Sequence, residues 1–340
     1  MKKRFSILIS VLLICAMLLS FASANEAADS SLPAETLVAE SENQGHYVFQ
    51  PKACSVFMKE VFGEAMCETW ENLVDAVLAG ENTFACPDKH TYDWVMGQFP
   101  RLCFPVLTEL IDYAYERGHC VKNGVASFTY LVSREEASAR IAEFAAQIEG
   151  ILNEVLRDDD SDFEKALALY EYFCRTYVYD WDTYEKMQET YLDYTTTLRL
   201  FRTGKGICCE IAPAYSYLLL QAGVEATVMT GDNHQWSYVR IDGCNYHIDP
   251  TFVISSDGSL AWLMMTDEQR AKDGYVKGEY FITSNYSRDH DHPDYSADDG
   301  TYSAIWNYSF GEFFPEENIL SCRRYTEGWE TVYFDFAYGA

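Results

Sequence analysis

The sequence predicts an α+β protein: a buried helix packed on an antiparallel sheet, with a smaller α+β region ahead of it. Three observations predict this. After the run Gly204-Lys205-Gly206, apolar residues recur at Ala212, Tyr215, Leu218 and Leu219, the period of a helix buried on one face or more. Asp242-Gly243 stands between two β-prone runs and signals a two-residue hairpin turn with positive φ. Ser133 with Glu136, and Ser161 with Glu164, each have the spacing of a capping box that opens an amphipathic helix.

Taken in order, Met1–Ala24 reads as a signal peptide. Lys2, Lys3 and Arg4 precede the apolar run Phe5–Phe21, and Ala22-Ser23-Ala24 supplies small residues for cleavage. The expectation is a secreted mature chain with no stable membrane insertion. Residues 25–45 are rich in Ser, Glu and Ala and read as a flexible lead. Residues 46–157 form the smaller α+β region and end in the long helix opened by Ser133. The acidic run Arg157-Asp158-Asp159-Asp160 breaks that helix and is the expected domain boundary, so residues 158–340 form the second domain. There the helix capped by Ser161 buries Ala166, Leu167, Tyr170 and Phe173. Strands are expected at Val224–Thr230, Gln235–Ile241, Asn245–Asp249, Gly278–Thr283 and Glu330–Phe336.

Composition narrows the partners. At 48% hydrophobic and 15% aromatic residues, the chain has material for a large core. Its formal charge of −28 becomes three units more negative if Lys2, Lys3 and Arg4 are removed. Such a protein repels nucleic acid and attracts cationic or lysine-bearing protein and peptide substrates. Ten cysteines follow the signal segment, a count that suggests disulfides in an exported protein without fixing their pairing. Neither these cysteines, which lack paired Cys-x-x-Cys spacing, nor the loop from Asp289 to Asp299, with its proline, glycine and serine, argues for a metal site. No cofactor is expected.

The chemistry concentrates between Gly204 and Phe252. Cys208 falls at or near the start of the buried helix, where unpaired N–H groups and the helix dipole favour a thiolate and can hold an oxyanion. Pro213 is expected in the first turn, where its missing N–H costs nothing. If Asp242-Gly243 makes the turn, Ile241 faces Cys244, Trp236 faces Asp249, and His234 and Asp249 become diagonal neighbours on one face. Val239, Ile241, Tyr246 and Ile248 share the other face, a core side. An imidazole oriented by a carboxylate is thereby set against a helix-borne thiol. Trp236 is expected to pack beside the three, with the wall of a substrate tunnel as a further role, and His247 is expected as a structural histidine on the same face. Glu210, two residues from Cys208, would oppose a thiolate if it pointed inward.

These residues also carry a resemblance. Gly204-Lys-Gly-Ile-Cys208, His234 with Trp236, and Tyr246-His-Ile-Asp249-Pro-Thr-Phe252 resemble the three signature blocks of the transglutaminase-like superfamily of papain-related cysteine enzymes, and Tyr170–Asp180 resembles the helix preceding them in exported bacterial members. The resemblance implies a papain-like core, Cys208 as nucleophile, His234 as general base and acid, and Asp249 as the group that orients the imidazole. It implies a thioester formed from a peptide or carboxamide carbonyl and passed to water (protease or amidase) or to an amine (transglutaminase). Cys209, Glu210 and Ile211 after the nucleophile, Gln235 and Ser237 beside Trp236, and Phe252 depart from the usual pattern, and the substitutions around Cys208 keep open the alternative of a non-catalytic binding module at the cell surface.

Overall fold

The computed structural model describes residues 46–114, 120–190, 196–231, 233–255, 258–314, 319–325 and 329–335. The expected signal peptide and lead lie outside them. Along the chain come helix α1 (Val56–Phe62), α2 (Glu64–Leu78), strand β1 (Thr83–Ala85), α3 (Lys89–Cys103), β2 (Ile111–Tyr113), β3 (Val121–Lys122), β4 (Val125–Tyr130), α4 (Arg134–Val155) and α5 (Asp162–Thr176). There follow β5 (Val178–Tyr179), α6 (Trp181–Glu189), α7 (Thr197–Thr203), β6 (Lys205–Gly206) and the central helix α8 (Cys208–Gln221). The chain then forms β7 (Glu225–Thr230), β8 (Gln235–Ile241), β9 (Cys244–Ile248), α9 (Pro250–Ser255), α10 (Asp267–Ala271), β10 (Phe281–Ile282), β11 (Ser309–Phe314), β12 (Ile319–Tyr325) and β13 (Trp329–Asp335).

The central sheet is antiparallel in the order β10-β7-β8-β9; β1, β2 and β3 gather around β4, β11-β12-β13 form a meander, and β5 pairs in parallel with β6. The architecture is α+β, as expected, and the hairpin is in the expected register: Ile241 opposes Cys244 and Ser237 opposes Ile248. Asp242 and Gly243 both adopt positive φ, +51° and +78°, which a two-residue turn of this hand requires. Gly278–Thr283 shrinks to the two-residue strand β10.

Helix α8 is buried nearly throughout. Its apolar residues pack on β7 and β8, and two serines tie it to them: Ser216 Oγ donates to the Thr227 carbonyl at 2.7 Å, and Ser237 Oγ of β8 to the Ala212 carbonyl at 3.1 Å. On the other side Tyr215 Oη donates to the Ala166 carbonyl of α5 at 2.6 Å. With these groups partnered, a mostly apolar helix can sit between layers at small polar cost; the buried Tyr217 hydroxyl, which has no hydrogen-bond partner among the described residues, is the exception. Pro213 lies inside this helix and not in its first turn. Its missing N–H removes the bond that would run to the Cys209 carbonyl.

The described residues form one compact unit. Residues 46–157 share a core with the later part of the chain, through Phe49, Phe104, Phe144 and Tyr217, whose rings pack edge-on, tilted or stacked. Polar links are specific as well. Gln50 and Gln221 exchange two backbone-to-amide hydrogen bonds of 2.8 and 2.9 Å, Val56 N–H donates to Glu225, and Arg240 pairs with Glu60. The acidic run at 157–160 separates two helices, and Asp160 turns inward to accept the Arg157 N–H at 2.8 Å.

In that shared core Cys54 and Cys67 are free thiols with sulfur atoms 3.6 Å apart. On incubation with oxidised glutathione, two thiols should become one disulfide as the reagent is reduced to two thiols. Peptide mapping without reductant should recover Cys54 linked to Cys67, and closing so short a loop should raise Tm by roughly 5–10 °C. Recovery of both as unlinked thiols after prolonged oxidation would refute the pairing.

Candidate active site

Three local features deliver Cys208 to the first position of α8. Gly204 ends α7 in the left-handed region, φ +69°, a conformation that favours glycine. Gly206 is held close: a Cβ there would meet Leu200 Cδ1 at 2.8 Å. Glu210 then reaches back from the third helical position to accept the Ile207 N–H at 3.0 Å, tying the loop to the helix start. Glu210 therefore points away from the role that would oppose a thiolate. Its fully buried carboxylate is gripped by Arg199 at 2.7 and 2.5 Å, and Arg199 also holds Asp180 at 2.8 Å.

His234 immediately precedes β8, and the Gly231 N–H donates to its carbonyl. Its Nε2 lies 2.7 Å from Asp249 Oδ2 at the end of β9, leaving Nδ1 as the other ring nitrogen. Burial pulls the imidazole pKa down, but the charge and hydrogen bond of Asp249, with the Cys208 sulfur beside the ring, push it up to about 10. Asp249 is fully buried. Burial opposes its ionisation, yet His234, Arg270 and the Thr251 N–H together hold its carboxyl below the usual range. The sulfur, imidazole and carboxylate expected to meet do so. Cys208 is 6% exposed, and the His234 side chain, at 19%, is the more open edge of the group. A surface hollow of about 440 Å³ beside α2, lined by Asn72, Asp75 and Phe84 among others, touches none of the three.

Trp236 packs beside the three, its first expected place, and not in a substrate wall. It is fully buried, its ring stacked on His234 with centroids 5.8 Å apart. A side chain inside the core cannot line a tunnel; it supports the imidazole from beneath. Its indole N–H donates to His247 Nδ1 at 2.9 Å, which leaves the His247 proton on Nε2, facing Asp267 Oδ1 at 2.8 Å. Burial lowers the His247 pKa, so this histidine stays neutral and structural.

Two neighbours escape the sequence reading. Arg270 on α10 donates to Asp249 Oδ2 at 3.2 Å and stacks over Trp236 at 4.4 Å. Tyr179 pairs with Gly206 in the β5–β6 ladder, and its hydroxyl is kept protonated by burial and by the nearby Cys208 sulfur. A strand of two residues and a helix of five are too short for any periodic signal to announce them.

A thiol at a helix start, facing an imidazole and acid on adjoining antiparallel strands, defines a papain-like α+β core suited to nucleophilic attack on a carbonyl. Residues 149–276 match the model of the transglutaminase-like superfamily, whose members generally use cysteine-based catalysis, and this segment is transglutaminase-like. Among solved structures the chain is similar to a crystal structure of a TGase, at 18% identity and a TM-score of 0.29, over 45% of this chain and 47% of that one. It thus spans about half of that structure's length. No curated protein matches the chain.

Proposed function

We propose that the chain is an exported cysteine enzyme that forms a thioester on Cys208 from a carboxamide or peptide carbonyl and passes the acyl group to water or to an amine. The observation that carries this is the His234–Asp249 contact of 2.7 Å beside Cys208 at the start of α8. The Cys208 sulfur attacks the carbonyl carbon, and the oxyanion that forms is held by N–H groups of the first turn. His234 gives its proton to the departing ammonia or amine. The neutral imidazole then takes a proton from water or an incoming amine, whose attack breaks the thioester and returns the thiol. Asp249 keeps the ring in place through both halves. The acidic surface favours lysine-bearing or otherwise cationic partners, and Lys2–Ala24 has the pattern of an export signal.

Incubation with a glutamine peptide, with and without a primary amine, tests the activity. Release of ammonia with free acid alone identifies a hydrolase, and an amine conjugate identifies a transferase. Cys208→Ala should abolish both, by about 10³-fold or more. Iodoacetamide should also label Cys208 ahead of the other thiols near neutral pH, and His234→Ala should remove that preference. Uniform slow labelling with no product from any peptide would refute the proposal.

A further inference from the structure

We propose that Arg270 is a fourth member of the site, a positioning residue that fixes the Asp249 carboxylate and balances its charge against His234. This rests on Cys208, His234 and Asp249 being the reacting set.

The geometry is selective. His234 Nε2 and Arg270 Nη2 converge on the same atom, Asp249 Oδ2, at 2.7 and 3.2 Å, while Oδ1 takes the Thr251 N–H at 3.2 Å. Turning the carboxylate would break all three bonds. The guanidinium is itself immobilised. It is 4% exposed, lies 4.4 Å from the Trp236 ring centroid and 5.8 Å from that of Phe252, and extends its other arm towards Asp273 Oδ2 at 3.5 Å. Asp273 is anchored in turn by the Trp262 indole N–H at 2.9 Å. A planar, stacked, multiply bonded cation is a job for arginine, and lysine reproduces only its charge.

Helix α10 is set against the site from two directions. His247 and Met265 exchange backbone hydrogen bonds of 2.9 and 2.8 Å, which fixes the chain just ahead of the helix. Asp267, at the helix start, reaches Trp236 through His247; Arg270, one turn on, lies over the face of the same indole. Trp236 and Asp249 are therefore clamped together by one short element.

Charge gives the clamp a chemical purpose. Thiolate, imidazolium and the Asp249 carboxylate sum to one negative charge in a buried setting, and Arg270 brings the group to neutrality. A buried net charge is costly, and the neutral set can persist. Among the described residues, the other titratable groups facing this cluster include the hydroxyls of Tyr170, Tyr179 and Tyr275, the Cys209 thiol, neutral His247, and the carboxylates of Asp267 and Asp273 on the α10 side. Among these described groups, Arg270 is the cation that contacts Asp249 besides His234.

The test is the rate of Cys208 alkylation by iodoacetamide as a function of pH in the full chain. Loss of a positive charge favours the proton at every neighbouring site, so in Arg270→Met both limbs of the profile should move to higher pH by about one unit. Arg270→Lys, which keeps the charge, should hold the profile close to that of the parent. If Arg270→Met does not fold, Arg270→Gln, which keeps hydrogen-bonding atoms without charge, should show the same displacement. A folded neutral variant whose profile superimposes on the parent, or is scaled down with no change of position, overturns the role while leaving the Cys208 chemistry intact. An unperturbed Cys208 in the parent protein, indifferent to His234→Ala, would instead remove both.

Discussion

Replacing Asp249 by asparagine is expected to lower turnover of a glutamine peptide by about 10³–10⁴-fold while the protein stays folded. The carboxylate does two things that an amide cannot. It accepts from His234 Nε2 with full charge, which selects the tautomer whose Nδ1 serves the sulfur, and it stabilises the imidazolium that forms when the thiol is deprotonated. The amide keeps the shape of the side chain but has one oxygen, so it can accept from Thr251 or from Arg270 and not from both; it still fills the space of the carboxylate, and the fold should tolerate it better than alanine. The sign of the pH effect also follows. The raised His234 pKa makes the imidazolium persist up to about pH 10, and without the carboxylate the ring should lose its proton at much lower pH. Any stabilisation of the fold by this charged pair is present below the ordinary histidine pKa, about 6.5, and disappears as pH rises through about 10. Steady-state kinetics and the alkylation profile check both points, and parental turnover in Asp249→Asn would end the orienting role.

What can be read from the sequence here is local. The β8–β9 register follows from Asp242-Gly243, because a two-residue turn fixes every opposing pair and the side-chain period of two then assigns the faces. That is enough to bring His234 and Asp249 together, and the glycines before Cys208 place it at a helix start. Depth is not legible. Alternation tells which face Trp236 occupies, not that α10 covers it, so its role inside the core and its hydrogen bond to His247 come only with the structure. Arg270 is hidden for the same reason: it stands 21 residues from Asp249, on a helix too short to show a period. The association of residues 46–157 with α8 rests on pairs such as Gln50–Gln221, 171 positions apart, and no local pattern encodes these.

Glu210→Ala should be the most damaging single change to stability near the site, at about 3–5 kcal/mol, or a Tm roughly 10 °C lower. Glu210 is fully buried and satisfies three donors: Ile207 N–H and two nitrogens of Arg199, whose own side chain is 18% exposed. Removing it strands a mostly buried guanidinium with Asp180 as its remaining partner among these carboxylates, and releases the loop that positions Cys208. The cost arises from leaving one half of a buried pair behind, so Arg199→Ala combined with Glu210→Ala should destabilise by clearly less than the sum of the two. Acid should expose the same network. Burial resists ionisation of Asp180, but Arg199 and the Thr183 N–H and hydroxyl hold its pKa down at about 2, below the ordinary aspartate value. Its contribution is therefore complete above about pH 4 and lost as pH falls towards 2, with Asp180→Asn melting like the parent at the acid end and lower at neutral pH. Thermal melts of the four variants across that range measure each term. If Glu210→Ala melted with the parent, the buried carboxylate would be dispensable and another contact would hold the Cys208 loop.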